Sequence, residues 1–141
     1  MPVEIITVQD DRIAEFFHKN ERESLHRFYN FPVIWHEQEH RLAAVREGEV
    51  LGAAHLQIAA SLCTIGMLTV ASEHRRQGIG RALLDRAEEI ANYYNCHKMT
   101  GQVLKDGTAQ QFLQACGYHV EAILPQHTFK LDMAVLRKFL L

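Results

Sequence analysis

The chain has little cysteine: Cys63, Cys96 and Cys116 are the only three in 141 residues. The number is odd and no C-x-x-C spacing occurs, so neither a disulfide framework nor a cysteine zinc site is expected, and a reducing cytoplasmic setting fits. Positive charge is also scarce. Fifteen Lys and Arg stand against 17 Asp and Glu, for a net charge of −2, which argues against nucleic acid or an anionic membrane as partner. No apolar run approaches the ~18 residues of a membrane span, and the amino terminus MPVEIITVQDD carries acids where a signal peptide carries bases. There is no repeat, linker or low-complexity segment. What is present is an ordinary globular composition, 48% hydrophobic and 23% charged. It suits a single domain over 1–141 whose core needs no disulfide or structural metal.

Periodicity divides the chain. Val3 to Val8 is a β-branched run that reads as a strand. Asp10 is placed to cap a helix with Ile13, Phe16 and Phe17 inward, and Asn20 with Glu23 reads as a second cap before Leu25, Phe28 and Tyr29, with Pro32 closing the region. Leu42 to Val45 and Val50 to Ile58 flank a Glu-Gly-Glu turn as hairpin strands. Leu62 to Val70 makes a third strand, and Gly66 in its middle marks a bulge or a close backbone approach.

From Gly78 onward, Leu83, Leu84, Ala87, Ile90, Ala91 and Tyr94 repeat at helical spacing. Met99 to Leu104 reads as a strand. Thr108 with Gln111 forms a capping box opening a helix with Ala109, Phe112, Leu113 and Cys116 inward, ended by Gly117. Tyr118 to Leu124 and His127 to Met133 read as two last strands with Pro125 in their turn, and Val135, Leu136, Phe139 and Leu140 then pack on the domain or on a partner subunit. The expected class is α/β (α+β): one mixed, mostly antiparallel sheet of about seven strands flanked by about four helices.

Two motifs compete for the chemistry. WHEQEH contains H-E-x-x-H, which on a helix sets His36 and His40 one turn apart for zinc, with Glu37 as general base. The extended zinc pattern fails at Ala43 and Arg46, the position expected for a distant glutamate ligand is near the apolar Ala60, and only His55 offers a remote ligand. The plainer reading is a polar surface segment before a strand, with no metal bound. RRQGIG, Arg75 to Gly80, follows a glycine-bearing strand and opens the long amphipathic helix. Gly78 and Gly80 permit a tight turn with several N–H groups aimed one way at a helix start, and Arg75, Arg76 and Arg81 surround it with positive charge. A polyphosphate ligand is implied. No Gly-Lys-Ser/Thr follows, and Leu83 stands where a dinucleotide-binding loop has its third glycine.

The stretch LTVASEHRRQGIGRALLDRAEEIA resembles the acyl-CoA-binding motif of the GNAT superfamily of acyl-CoA-dependent N-acyltransferases, and FLQACGYHVE resembles that family's later helix and its Gly-aromatic ending. The resemblance implies acetyl-CoA as cosubstrate. Its pyrophosphate would lie on the amides of Arg76, Gln77, Gly78, Ile79, Gly80 and Arg81, with Arg75 alongside, and its pantetheine along Leu68, Thr69 and Val70. An asparagine that often contacts the cofactor corresponds to Asp106. The family's proline after the cofactor strand is Ser72 here, its proton-donating tyrosine is replaced by Leu113, and a glutamate base found in some members by Gly101.

Transfer to an amine still needs a base, because an alkyl ammonium must lose a proton before it attacks a thioester. His55 and His127 have the right chemistry, although a lone strand histidine is more often packing or surface. A backbone N–H near Leu68 is placed to stabilise the oxyanion. Thiolate leaves without an acid, more slowly. Tyr118 and Cys116 read as core, and Glu73 and His74 as the solvated rim of the loop. Phe16, Phe17, Phe28, Tyr29, Phe31 and Trp35 supply aromatics for an acceptor pocket or for the core.

The reading is a cytoplasmic N-acetyltransferase acting by direct attack of a primary amine of a small molecule or protein. A catalytically weak acyl-CoA-binding regulatory module is the alternative, and a zinc hydrolase through His36, Glu37 and His40 the remote one. Monomer and homodimer are both open. A bulky residue at Gly80 is expected to abolish coenzyme A binding and leave the fold intact.

Overall fold

The structure is a computed structural model and describes residues 2–28 and 37–140, the side chains of 22–28 excepted. The chain forms two compact units, Met1–Ile34 and Trp35–Leu141. In the first, residues 2–9 belong to no helix or strand, and the expected strand at Val3 to Val8 is absent. β-branched residues favour a strand only where a pleated neighbour receives them. Helix α1, Arg12–Phe28, is continuous where two helices were expected. The Asp10 carboxylate accepts the Arg12 N–H at 3.1 Å, but the Asn20 amide donates back to the Phe16 carbonyl at 2.8 Å and so decorates the helix instead of capping a second one. Tyr29, Phe31 and Trp35 lie outside the described residues.

The second unit is one six-stranded sheet, ordered β1-β2-β3-β4-β6-β5, carrying two helices. β1 (Gln38–Arg46) and β2 (Glu49–Ala59) form the expected hairpin, and β3 (Leu62–Val70) adds antiparallel to β2. Helix α2, Ile79–Tyr93, carries the chain across the sheet so that β4 (Lys98–Leu104) lies parallel to β3. α3 (Thr108–Ala115) follows, and β5 (His119–Thr128) and β6 (Leu131–Phe139) close the far side. Among the described residues there are thus six strands and three α-helices, short of the expected seven and four.

Alternation explains the single core. Ala54, Leu56 and Ile58 of β2 are buried against Leu83, Leu84, Ala87 and Ala91 of α2, and Met99, Leu113 and Leu136 complete the cluster. Burying each of the fully covered leucines, Leu56, Leu84 and Leu136, contributes about 2 kcal/mol.

Two turns depart from expectation. Pro125 sits inside β5, within an irregular stretch between Leu124 and Thr128, and the hairpin turns instead at Phe129 and Lys130. Ala134 to Phe139 of the segment AVLRKFLL therefore belong to β6, an interior strand. At α3 the cap is Gly107, not Thr108, and Gln110 reaches back to accept the Asp106 N–H at 2.8 Å. The reach-back occurs one residue earlier than expected, which buries Gln110 and leaves Ala109 exposed.

Candidate active site

β3 and β4 pair from Leu62↔Lys98 to Ile65↔Gly101, and there the ladder stops although both strands continue. The sheet opens at the carboxyl ends of its one parallel pair, between two strands that each lead into a helix. Such an opening is where open α/β sheets receive ligands.

The point of separation is the bulge. Register against β2 slips between His55 and Leu56, with His55 opposite Met67 and Leu56 opposite Ile65, so Gly66 is the extra residue. A side chain there would begin 3.4 Å from His55 Nδ1. Above the bulge, the Ala71 N–H donates to the Leu51 carbonyl at 2.8 Å. Antiparallel alternation then turns the backbone groups of Thr69 and Met67 toward β2, and those of Leu68 and Val70 toward the opening. Of the three residues expected along the pantetheine, Leu68 and Val70 turn their backbone toward the opening and Thr69 turns its toward β2. The Val70 carbonyl already accepts Arg75 Nε at 3.2 Å.

The loop beyond β3 makes a 3-10 turn over Ser72–His74 and enters α2 through two left-handed residues, Arg76 (φ 62) and Gly78 (φ 79). Gly78 is the N-cap and offers no side-chain acceptor, and the first helical bond runs from the Ala82 N–H to the Gly78 carbonyl at 3.0 Å. The N–H groups from Gly78 to Arg81 are left without helical acceptors at the positive end of the helix dipole. Arg75 and Arg76 are exposed beside them. Gln77 is turned to Arg46 at 3.4 Å, and the Arg81 guanidinium donates to the Ala115 carbonyl at the end of α3, at 3.1 Å, so Arg81 brings its amide to the loop and its charge elsewhere.

Gly80 has a packing role beside the one expected of it in the loop. An added Cβ would meet Phe112 Cζ at 3.3 Å and Val70 Cγ2 at 3.7 Å, so glycine at this position lets α2 lie against α3. A bulky residue there strains the packing as well as the loop. Gly78, with nothing within 4 Å of its would-be Cβ, is the residue whose freedom is purely conformational.

The acid and base candidates separate. His55 lies on the sheet face away from α2 and α3, one strand from the opening. His127 is exposed on edge strand β5, with β6 and β4 between it and the opening. Leu113 is buried in the core. Tyr118 donates to Glu88 Oε2 at 3.3 Å, Lys138 Nζ meets Glu88 Oε1 at 2.6 Å, and burial together with the Glu88 charge pushes the phenol well above its usual range. Burial pushes the Cys63 thiol up to about 12 and raises Cys96 and Cys116 as well, which leaves all three unreactive near neutrality. Asp106 stands in the loop between β4 and α3.

The described part of H-E-x-x-H, Glu37 to His40, is not helical. β1 runs from Gln38, so His40 lies on a strand, where residues four apart stand ~13 Å from each other. His36 is outside the described residues, and His40 bonds Gln38 Oε1 at 3.0 Å and stacks near Tyr94 at 5.3 Å. A groove of about 380 Å³ beside His40, Tyr93 and Tyr94 lies at the far end of α2, ~20 Å along the helix from Gly78. It is remote from the opened ladder, and we place the site at the opening. What sequence spacing could not reveal is Glu39, whose Oε2 lies 3.8 Å from His55 Nε2 across two strands.

Residues 5–118 match the acetyltransferase (GNAT) family. The fold is shared with an acetyltransferase from Bacillus cereus ATCC 14579 (TM-score 0.76, 20% identity, 97% of this chain and 98% of that one). It is also similar to a GNAT family acetyltransferase from Elizabethkingia anophelis with acetyl-CoA bound (0.67, 21% identity, 72% and 76%). A third similar structure is the IAA acetyltransferase from Bacillus cereus ATCC 14579 (0.64, 24% identity, 71% and 77%). No curated protein matches the chain.

Proposed function

The chain belongs to the GNAT acetyltransferase family, and on that premise we propose that it transfers the acetyl group of acetyl-CoA to a primary amine of a small molecule or protein by direct attack. The observation that carries this reading is the half-open ladder: β3 leaves β4 at Ile65 and leads, through the loop after Val70, to a helix start without a side-chain cap flanked by Arg75 and Arg76. A diphosphate suits the free amides from Gly78 to Arg81, and an amide-bearing arm suits the Leu68 and Val70 edge. Asp106, in the loop between β4 and α3, is a further candidate contact to the ligand.

Acetyl-CoA supplies an activated thioester. The residues of the chain supply position and proton handling. A β3 N–H near Leu68 donates to the carbonyl oxygen as charge develops on it. His55, beside the bulge, takes the proton that the ammonium must lose before it attacks, and His127 is the less favourably placed base. The thiolate leaves without a protein acid, since Leu113 is buried and cannot donate. We read residues 1–141 as one catalytic domain working in the cytoplasm, with its three cysteines free, as a monomer or a homodimer, and independent of nucleic acid, membrane and metal. No described helix is long and apolar enough to cross a membrane.

Calorimetric titration with acetyl-CoA and with free coenzyme A tests the premise, followed by acetyl transfer to a panel of primary amines. Binding of both with transfer to at least one amine is expected; binding of neither overturns the assignment. The buried Leu113 supports one second reading, an acyl-CoA-binding module with little turnover, and binding without transfer to any amine would establish it.

A further inference from the structure

We infer that Glu39 is a positioning residue for His55, holding the neutral imidazole with its proton on Nε2 so that Nδ1 is the bare nitrogen facing the bulge. The inference rests on His55 being the base proposed above, and the link between the two side chains is measurable without any acetyl transfer.

The two ring nitrogens have different surroundings. Nε2 is buried and has no hydrogen-bond partner among the described residues, although the side chain as a whole is 41% exposed. The described carboxylate beside it is that of Glu39, with Oε2 at 3.8 Å, about one ångström longer than an N–H···O bond. Nδ1 faces Gly66, where the absence of a side chain keeps the space in front of it clear, since a Cβ would stand 3.4 Å away. A carboxylate accepts and never donates when ionised, so it favours the tautomer that puts a proton on the nitrogen beside it. The other nitrogen is then left with a free lone pair, on the side where β3 and β4 part.

The sheet register produces this. Arg41 is directly opposite His55 on β1, and Glu39, two residues earlier on the same face, is its diagonal neighbour. Arg41 Nη2 approaches the same Glu39 oxygen at 4.0 Å, so the carboxylate lies between a fixed positive charge and the imidazole. Met67, opposite His55 on β3, carries no charge.

The step balances without a further reactant. The substrate ammonium gives one proton to His55 Nδ1, and the imidazolium keeps its Nε2–H toward Glu39. The freed nitrogen attacks the thioester carbon, the C–N bond forms and the C–S bond breaks. The second nitrogen proton passes to the thiolate through solvent, and His55 returns its proton to water. Glu39 stays ionised throughout.

Long-range ¹H–¹⁵N correlation spectra of the imidazoles read the tautomer directly. The chain has nine histidines, and His55 is assigned as the set of signals lost in His55→Gln. The expected result is an Nε2–H tautomer in the wild type that shifts toward Nδ1–H or a mixture in Glu39→Gln and returns in Glu39→Asp. An Nδ1–H wild type, or a tautomer unmoved by Glu39→Gln, overturns the inference. With an amine found in the panel, Glu39→Gln should lower kcat about 5- to 10-fold and leave KM within about two-fold. Equal loss in KM instead would assign Glu39 to substrate binding and also overturn it. If no amine is acetylated while the tautomer responds as expected, the proposed activity fails and the Glu39–His55 link stands.

Discussion

The two helices that follow the parallel strands begin alike and end up opposite in character. Each starts at the same end of the sheet, and each has a glycine at its N-cap with no side chain to cap it, Gly78 for α2 and Gly107 for α3. At α3 the chain satisfies the two amides just ahead of the helix: the Gly107 N–H donates to the Leu104 carbonyl at 3.1 Å, and Gln110 accepts from Asp106 at 2.8 Å. At α2 no described residue does so for Gln77 and Gly78, and two exposed arginines stand beside them. The free first-turn amides and the dipole are common to both starts and do not distinguish them.

The largest contrast should appear in ligand affinity. Arg76→Glu places an anion at the unfilled start and should weaken coenzyme A about 10- to 100-fold by calorimetry, the worth of one charged hydrogen bond. Lys105→Glu, beside the filled start, should change it less than about three-fold. Equal losses would erase the distinction. Next in size is Gly80→Val, which pushes a side chain into Phe112 and should cost about 1–3 kcal/mol of stability, seen as a melting point lower by several degrees. Gly78→Ala meets no neighbour and should cost only the left-handed backbone, about 1–2 kcal/mol. The smallest effect belongs to Gln110→Ala. It strips the Asp106 N–H of its acceptor, for about 1 kcal/mol of stability, and should leave coenzyme A affinity unchanged.

The same contrast governs how much the sequence disclosed. β3, its loop and α2 were legible because their signals are contiguous: a glycine-bearing apolar run, R-x-x-G-x-G, then a helical stripe of which Leu83, Leu84, Ala87 and Ala91 are buried and Ile90 half-buried. The α3 start was misread by one residue because Thr108 and Gln111 mimic a capping box, whereas the glycine before them takes the cap. Pro125 drew the last turn to itself, yet an irregular stretch in β5 absorbs it. The true turn uses left-handed Phe129 and Lys130, which carry no glycine or asparagine to announce it. The run at Val3 to Val8 has strand composition without a strand. The pairing of Glu39 with His55 depends on the register between β1 and β2, which spacing along the chain does not contain.

The half-open ladder is also a ruler. From Gly66 to Val70 it runs four residues, ~13 Å at strand rise, with the helix start at one end and His55 at the other. On the proposed placement, a carrier anchored by its diphosphate at α2 would deliver its reactive end to the histidine only if its arm had that length. Shorter thioesters with the same anchor would be gripped and left stranded along the strand, so the enzyme would measure its donor before it tests the acyl group.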